Sequence, residues 1–324
     1  MTQAIRFHTF GSPDVLHLET IDVGAPGPGQ VRLRHHAIGV NFIDTYQRSG
    51  LYPLPLPSGL GQEGAGVVEA VGEDVTGFRI GDRVAYAGGA PGAYAETRLL
   101  GTEKLLHLPP GVDFDQAACI MLQGMTVEYL IRRLYRVEPG QTVLWHAAAG
   151  GVGQIAVQWL AALGVDVIGT VGSADKAERA LALGCRHVIN YREEDVVARV
   201  REITQGQGVP VVYDSVGKDT FDMSLDCLAR RGLFVSFGNA SGAVPPFSPL
   251  LLAQKGSLLF TRPRLGDYTA TRAELEASAG ELFARIADGS IRVAPSRCYP
   301  LAQAAAAHRD LESRATSGSI ILQP

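Results

Sequence analysis

The residues with the clearest chemistry lie between 142 and 156. The apolar run Thr142–His146 leads into Ala147-Ala148-Ala149-Gly150-Gly151-Val152-Gly153-Gln154-Ile155-Ala156. Gly151, Gly153 and Ala156 fit the spacing G-x-G-x-x-A, placed between an expected strand and an expected helix. In that pattern one glycine permits the sharp turn and the next lets backbone approach a pyrophosphate without a Cβ. The small third residue lets the helix pack on its strand. Unpaired N–H groups at the helix start, with their partial positive charge, suit phosphate oxygens. The loop Gly150-Gly151-Val152-Gly153 is therefore expected to hold a dinucleotide. The motif alone is weak; its place at the head of an alternating domain gives it weight.

A second position bears on which dinucleotide. About 20 residues after the loop, an NAD site carries Asp or Glu for the ribose 2′-hydroxyl. Here Gly169-Thr170-Val171-Gly172-Ser173 contains no acid. A 2′-phosphate asks instead for a hydroxyl and a cation, which Ser173 and Lys176 supply, while Tyr191 from the next loop flanks the adenosine. Asp175 argues the other way unless it caps its helix. NADP is expected over NAD.

Periodicity supplies the elements that position these groups. Apolar strands are expected at 141–146, 165–170, 187–190, 210–215 and 233–238, and helices at 152–163, 176–183, 194–204 and 221–228. Such alternation makes a parallel sheet covered on both faces. Residues 1–118 are β-rich instead, with runs at Val31–His35, Gly66–Val71 and Arg83–Tyr86 among dense proline and glycine punctuation. Asp115–Leu134 is helical in pattern. Thr271 and Glu274 form a capping box for a helix whose Leu275, Ala279, Leu282, Phe283 and Ile286 make an apolar stripe, closed by Gly289. Leu301–Ile321 reads as a helix and then a strand, too short for its own core, and is expected to dock back on the N-terminal part.

At 324 residues the chain exceeds one comfortable core, so two domains are expected. A hydrophobic fraction of 46% and a charged fraction of 19% are those of a globular protein. A net charge of -4 gives no general attraction for nucleic acid or anionic membranes. No stretch approaches the roughly 20 apolar residues of a membrane span. Met1–Phe10 lacks a basic-then-apolar signal pattern, so the chain reads as cytoplasmic. Cys119, Cys185, Cys227 and Cys298 form no CxxC or zinc-knuckle spacing and are expected to be small buried hydrophobes without disulfides. The eight histidines show no metal spacing either.

With these residues go longer strings: Gly39-Val40-Asn41-Phe42-Ile43-Asp44-Thr45-Tyr46, Arg48-Ser49-Gly50-Leu51-Tyr52-Pro53, His146–Gly153, Val212-Tyr213-Asp214-Ser215-Val216-Gly217 and Leu311-Glu312-Ser313-Arg314-Ala315-Thr316. Together they span the chain and resemble the zeta-crystallin-like quinone oxidoreductases of the medium-chain dehydrogenase/reductase superfamily. The resemblance implies an α/β protein with a GroES-like β-rich catalytic domain from residues 1–120 and 263–324. A Rossmann doubly wound parallel sheet domain, binding NADPH, would occupy 121–262, with the site in the cleft between them. It implies NADPH as hydride donor, a quinone as acceptor, and a homodimer built by edge strands of the Rossmann sheets, for which Leu250–Phe260 is a candidate.

By the same resemblance, Asn41, Tyr46 and Tyr52 line the substrate pocket, and Asn41 also meets the cofactor. Asp44 orients this loop. Thr126 contacts the nicotinamide or its ribose phosphate, Ser215 belongs to a matching cofactor string, and Phe237, Asn239 and Ser241 meet the nicotinamide side. Arg314 reaches the cofactor phosphates. The zinc alcohol dehydrogenases of the superfamily are resembled less. Asn41-Phe42-Ile43-Asp44 stands where they have a cysteine ligand, Gly61-Gln62-Glu63 stands for their Gly-His-Glu, and their four-cysteine loop is absent. Zinc is not expected.

Two other functions fit parts of these signals. An NADPH-dependent alkenal or enone reductase would pass the same hydride to an activated C=C bond, with Tyr46 as a proton donor. A low-turnover protein that senses NADPH or binds RNA would use the same loop, although the acidic charge and absent basic stripe argue against nucleic acid.

Overall fold

Short runs of valine, isoleucine and leucine between glycine-marked turns make most of the strands, and the turns decide where each ends. The structure, a computed structural model, describes residues 1–313 and 316–324. The described chain divides into two units, 1–126 with 268–287 and 293–324, and 127–267 with 288–292.

The first unit opens with β1 (Thr2–Phe7), β2 (His17–Ile21), β3 (Gln30–Val40), α1 (Phe42–Ser49), β4 (Ser58–Gly59), β5 (Glu63–Val71), β6 (Arg83–Ala87), β7 (Thr97–Gly101) and β8 (Leu105–His107). Next comes α2 (Phe114–Glu128), whose last residues pass the unit boundary and run into a π-helical turn at Tyr129–Leu134. Sequence periodicity anticipates one helix across 115–134; the change of pitch leaves no mark in it.

Strand-helix alternation follows in the second unit. It consists of β9 (Thr142–Trp145), α3 (Gly151–Ala162), β10 (Asp166–Val171), α4 (Ala174–Ala182), β11 (His187–Asn190), α5 (Val196–Ile203), β12 (Val209–Asp214), α6 (Phe221–Cys227), β13 (Leu228–Ser236), α7 (Leu250–Gln254) and β14 (Leu259–Thr261). All six strands are parallel, in the order β11-β10-β9-β12-β13-β14. Counted within the unit this is 3-2-1-4-5-6, the doubly wound Rossmann order. Its core packs Leu144, Ile168, Ile189, Val212, Phe221 and Phe234, each buried. At about 1.5–3 kcal/mol per buried side chain, such a cluster is the main support of the sheet.

The chain then passes through α8 (Leu265–Tyr268) and α9 (Arg272–Ala287) to β15 (Pro295–Pro300), α10 (Ala304–Glu312) and β16 (Ser319–Gln323). The capping box at α9 is made: Thr271 N–H donates to Glu274 Oε2 at 2.9 Å, and Glu274 N–H to Thr271 Oγ1 at 3.2 Å. β16 pairs antiparallel with β3, Ile320 opposite Val40 and Ile321 opposite Gly39, so the chain's end is built into the first unit's seven-stranded sheet. That pairing fixes the end of β3, from which Asn41 leads into α1. One expectation fails. Cys298 is exposed on β15, the outermost strand of that sheet, while Cys119, Cys185 and Cys227 are buried and free.

Candidate active site

In a doubly wound sheet, ligands bind beyond the carboxyl ends of the strands, where the strand order reverses. Here that point lies between β9 and β12. The segments that leave these two strands start side by side, with His146 N–H donating to the Tyr213 carbonyl at 3.0 Å. Trp145 and Tyr213 stack beneath them, ring centroids 4.7 Å apart.

The sharp turn after β9 is made by Ala147 at φ +54°, and not by a glycine as the motif suggests. Gly150 is the extended N-cap of α3, at φ -77° and ψ 179°, and supplies no side-chain cap. A helix's first N–H groups lack partners within the helix, so this end is open to an anion. Gly153 is constrained from within the fold as well. A Cβ there would collide with the Ala147 carbonyl oxygen and lie 2.6 Å from that of Ala148, so the first turn of α3 presses onto the loop. Gly150, Gly151, Val152 and Gly153 thus form the close-packed helix start, after the Ala147 turn, that suits a diphosphate.

At the end of β10, a Cβ on Gly172 would overlap the Tyr191 hydroxyl and lie 2.8 Å from its Cζ; Tyr191 therefore rests against Gly172. Ser173 is the N-cap of α4, and its side chain makes no capping bond. Asp175 is not the cap; it sits exposed in the first turn beside half-buried Lys176. Ser173, Lys176 and Tyr191 thus collect at one strand end that carries no ribose-binding acid. On these observations the residues fit NADPH.

The segments after β12 and β13 are zipped together. Phe237 N–H donates to the Asp214 carbonyl (2.8 Å), Ala240 N–H to that of Ser215 (3.1 Å) and Ser241 N–H to that of Val216 (2.8 Å). Ser215, Phe237 and Asn239 are held on this double loop. Ser241 spends its hydroxyl on the loop itself, donating to the Val216 carbonyl and accepting from Asp219 N–H. Beneath lies a buried cluster that sequence reasoning missed. Asp214 accepts from Val216 N–H, Gly217 N–H and the Ser224 hydroxyl. His146 Nε2 meets Ser224 Oγ at 2.9 Å and its Nδ1 meets Thr170 Oγ1 at 2.8 Å. Burial lowers the imidazole's pKa, opposed by the Asp214 charge, so His146 is neutral at neutral pH and braces the loop as a hydrogen-bonding spacer.

In the first unit, α1 carries the substrate-side candidates. Its start is set by Asn41 and Asp44, with Asn41 N–H donating to Asp44 Oδ2 at 2.8 Å, and its end by Gly50 at φ 84°. Tyr46 is buried and packs edge-on against Tyr52, centroids 5.4 Å apart, while Tyr52 N–H donates to the Tyr46 carbonyl. Asn41, Tyr46 and Tyr52 therefore belong to one local structure. Thr126 lies on α2, its hydroxyl donating to the Leu122 carbonyl at 2.7 Å. Arg314 lies outside the described residues.

Behind α1 stand two buried polar strings. Tyr94 O–H donates to Asp44 Oδ2 (2.8 Å), and its oxygen meets His308 Nε2 (3.1 Å). His308 Nδ1 accepts from Arg48, which also holds Glu312. Burial lifts the Asp44 pKa to about 7 against the pull of its hydrogen bonds, and lowers that of His308 to about 3, helped by Arg48. In the second string Asn41 Nδ2 donates to Glu63 Oε2 at 2.7 Å, and Gln123 Nε2 donates to Asn41 Oδ1 at 3.0 Å. Glu63 is fully buried, and its pKa is lifted to about 8. The spacing Asn41-x-x-Asp44 with Gly50 was a usable signal for α1. Glu63, Gln123, Tyr94 and His308 gave none, because their partners lie far away in sequence.

The zinc question turns on the same residues. The Asn41 side chain is already bonded on both sides by carboxyl and carboxamide groups, and among the described residues no thiol or imidazole is hydrogen-bonded to it. Among the described residues no group of three or more His, Cys, Asp or Glu could hold a metal. This donor set does not fit zinc.

Comparison with known proteins bears directly on these features. Residues 27–110 match the alcohol dehydrogenase GroES-like domain, and residues 151–278 the family described as zinc-binding dehydrogenase. The chain is 55% identical to a quinone oxidoreductase of Pseudomonas aeruginosa, over 100% of both chains. It is 47% identical to a 2-haloacrylate reductase of Burkholderia, covering 100% of this chain and 99% of that one. The solved structure of the Escherichia coli quinone oxidoreductase complexed with NADPH matches with a TM-score of 0.98 at 52% identity, over 99% of this chain and 100% of the other. With its GroES-like and Rossmann parts and these full-length relatives, the chain belongs to the quinone oxidoreductase family of the medium-chain dehydrogenase/reductase superfamily.

Proposed function

We propose that the protein reduces quinones with NADPH by hydride transfer, without a metal. The observation that carries this reading is the end of β10, where Gly172 and Ser173 replace a ribose-binding acid and Lys176 follows. Its support is the full-length likeness to quinone oxidoreductases, one of them complexed with NADPH.

When bound, NADPH supplies a hydride from its nicotinamide ring. The chain's own residues bind and orient. Gly150–Gly153 and the start of α3 hold the diphosphate, and Ser173, Lys176 and Tyr191 hold the adenosine end with its 2′-phosphate. Ser215, Phe237, Asn239 and Thr126 face the nicotinamide part. Tyr46 and Tyr52 stack on the flat quinone and donate to its oxygens, and Asn41 fixes the remaining polar contact. A quinone accepts hydride readily, so a polarising metal is not needed. The residues 1–120 with 263–324 act as the catalytic domain and 121–262 as the NADPH-binding domain. The protein works in the cytoplasm as a homodimer; no helix among the described residues is long and apolar enough to cross a membrane. Half-exposed Leu259 on β14, the end strand of the six-stranded sheet, supports an edge-to-edge dimer.

A second reading is favoured by the relative named for 2-haloacrylate reduction: transfer of the same hydride to an activated C=C bond, with Tyr46 as proton donor. Purified protein offered p-benzoquinone, a naphthoquinone, an enone and a 2-haloacrylate in parallel decides between them. Fast NADPH consumption with the quinones is expected. Idle quinones with fast alkene reduction establish the second reading, and tight NADPH binding without turnover refutes both.

A further inference from the structure

The buried string behind Asn41 has a direction. Ser319 O–H donates to Gln123 Oε1 (2.9 Å), Gln123 Nε2 to Asn41 Oδ1 (3.0 Å), and Asn41 Nδ2 to Glu63 Oε2 (2.7 Å). Glu63 Oε1 accepts from the Leu122 backbone N–H at 2.7 Å. All four side chains are buried. Gly39 leaves the room, since a Cβ there would overlap Glu63 Oε2.

Three of these four groups are reversible. Each carboxamide exchanges donor and acceptor by a half-turn, and a hydroxyl rotates. Glu63 is the end that sets the direction, because a carboxylate only accepts while a carboxylic acid also donates. With a proton on Oε2, every link can reverse: Glu63 to Asn41 Oδ1, Asn41 Nδ2 to Gln123 Oε1, and Gln123 Nε2 to Ser319 Oγ. The displaced Ser319 proton has an acceptor already in place, the Cys119 carbonyl at 3.4 Å. Both directions satisfy every buried group in the string, whereas a half-reversed string would face donor against donor. Asn41 has one further N–H and one further lone pair, and reversal exchanges their places.

We propose that Glu63 is a positioning residue whose proton sets the direction of the Glu63–Asn41–Gln123–Ser319 string, and so whether Asn41 offers a donor or an acceptor to the bound quinone and nicotinamide. This rests on the reading of Asn41 as a site residue. The charge environment allows the switch near neutral pH. Among the described residues no cation is hydrogen-bonded to Glu63. The titratable groups that face it are Asp44 from α1, Cys119 from α2, Tyr86 from β6 and Tyr94 from the segment after β6, each itself lifted by burial. Burial raises Glu63 to about 8, with Asp44 adding to the rise and the Leu122, Met121 and Asn41 donors opposing it. Arg98 reaches Tyr86 instead.

The test uses the full chain and two independent readouts. Infrared difference spectra across pH, with glutamate-specific isotope labels to separate Glu63 from Asp44, are expected to contain a protonated buried carboxyl band. That band should vanish on going to mildly alkaline pH, together with a shift of labelled Asn and Gln side-chain amide bands. Absence of the band, or its titration with the amide bands fixed, overturns the proposal. In kinetics, the quinone KM is expected to change about three- to tenfold across the same transition, the size of one hydrogen bond, with kcat moving less. Glu63→Gln should abolish the inflection, and an inflection that survives in Glu63→Gln overturns the proposal. Infrared reversal in a protein that turns over no quinone supports the switch and refutes the proposed activity. Should Glu63→Gln not fold, the infrared titration of the unmodified protein carries the test.

Discussion

The two regions that carry the candidate site are built on opposite plans. The phosphate-holding part of the cofactor side is made of backbone: a turn at Ala147, a helix start at Gly150–Gly153, and two loops zipped by main-chain hydrogen bonds. The substrate side is made of side chains, with Asn41, Asp44, Glu63, Tyr94, Gln123, His308 and Ser319 joined through buried bonds. Backbone dipoles are fixed and carry no proton to lose, and the buried His146 beneath these loops is held neutral at neutral pH. The second concentrates ionisable groups away from water, where their charge states are expensive and adjustable. A fixed grip suits one cofactor; an adjustable one suits acceptors of varied shape.

That contrast is broken most severely at Gly153. Gly153→Val places its side chain against the Ala147 and Ala148 carbonyls, which cannot yield. NADPH binding is expected to be lost in titrations, and stability to fall by about 1–3 kcal/mol or more in denaturant unfolding. Next comes the adenosine end. Ser173→Ala with Lys176→Ala should raise the KM for NADPH by about 10- to 100-fold, the scale of charge-assisted bonds, while leaving that for NADH nearly unchanged. Equal loss for both cofactors would detach these residues from the 2′-phosphate. Gly39→Ala acts on the other region. Its Cβ overlaps Glu63 and the Ala118 carbonyl, so stability should fall by about 1–3 kcal/mol while NADPH still binds.

A further effect expected is the pH dependence of stability. Asp44 and Glu63 have folded pKa values raised to about 7 and about 8, so the folded state holds protons that the unfolded chain releases. Their contribution is fully present below about pH 4, the ordinary carboxyl range, and is lost as pH rises through 7 to 8. His35 and His308 are lowered to about 3, which gives the opposite sign: their contribution fades as pH falls from the ordinary histidine value toward 3. Glu63→Gln should therefore gain on the unmodified protein as pH rises from 5 to 8, by urea unfolding at each pH. A constant gap would mean that Glu63 ionises freely in the fold.

The same division explains what the sequence makes legible. Strand-helix alternation, the glycine spacing and the missing acid after β10 are local patterns, and five of the six strands of the sheet follow them, β14 being the one they do not mark. Ala147 was hidden because a non-glycine turn at positive φ has no spacing rule. The π-helical turn at Tyr129–Leu134 was hidden because apolar periodicity tolerates one wider turn. On the substrate side, resemblance pointed to Asn41, Tyr46 and Tyr52, but not to what holds them. Glu63 meets residues 22 and 59 positions away, and Tyr94 meets His308 across 214. Nothing local in sequence marks such partners; the pairing of β3 with β5 and with β16 brings the segments of Asn41, Glu63 and Ser319 together.

The most direct test of the account is the rate of NADPH consumption by chelator-treated protein supplied with p-benzoquinone, beside the same assay with NADH. The account predicts turnover that the chelator leaves unchanged and that is faster at low NADPH than at equal NADH. No turnover with any quinone, activity restored only by zinc, or a preference for NADH would contradict it.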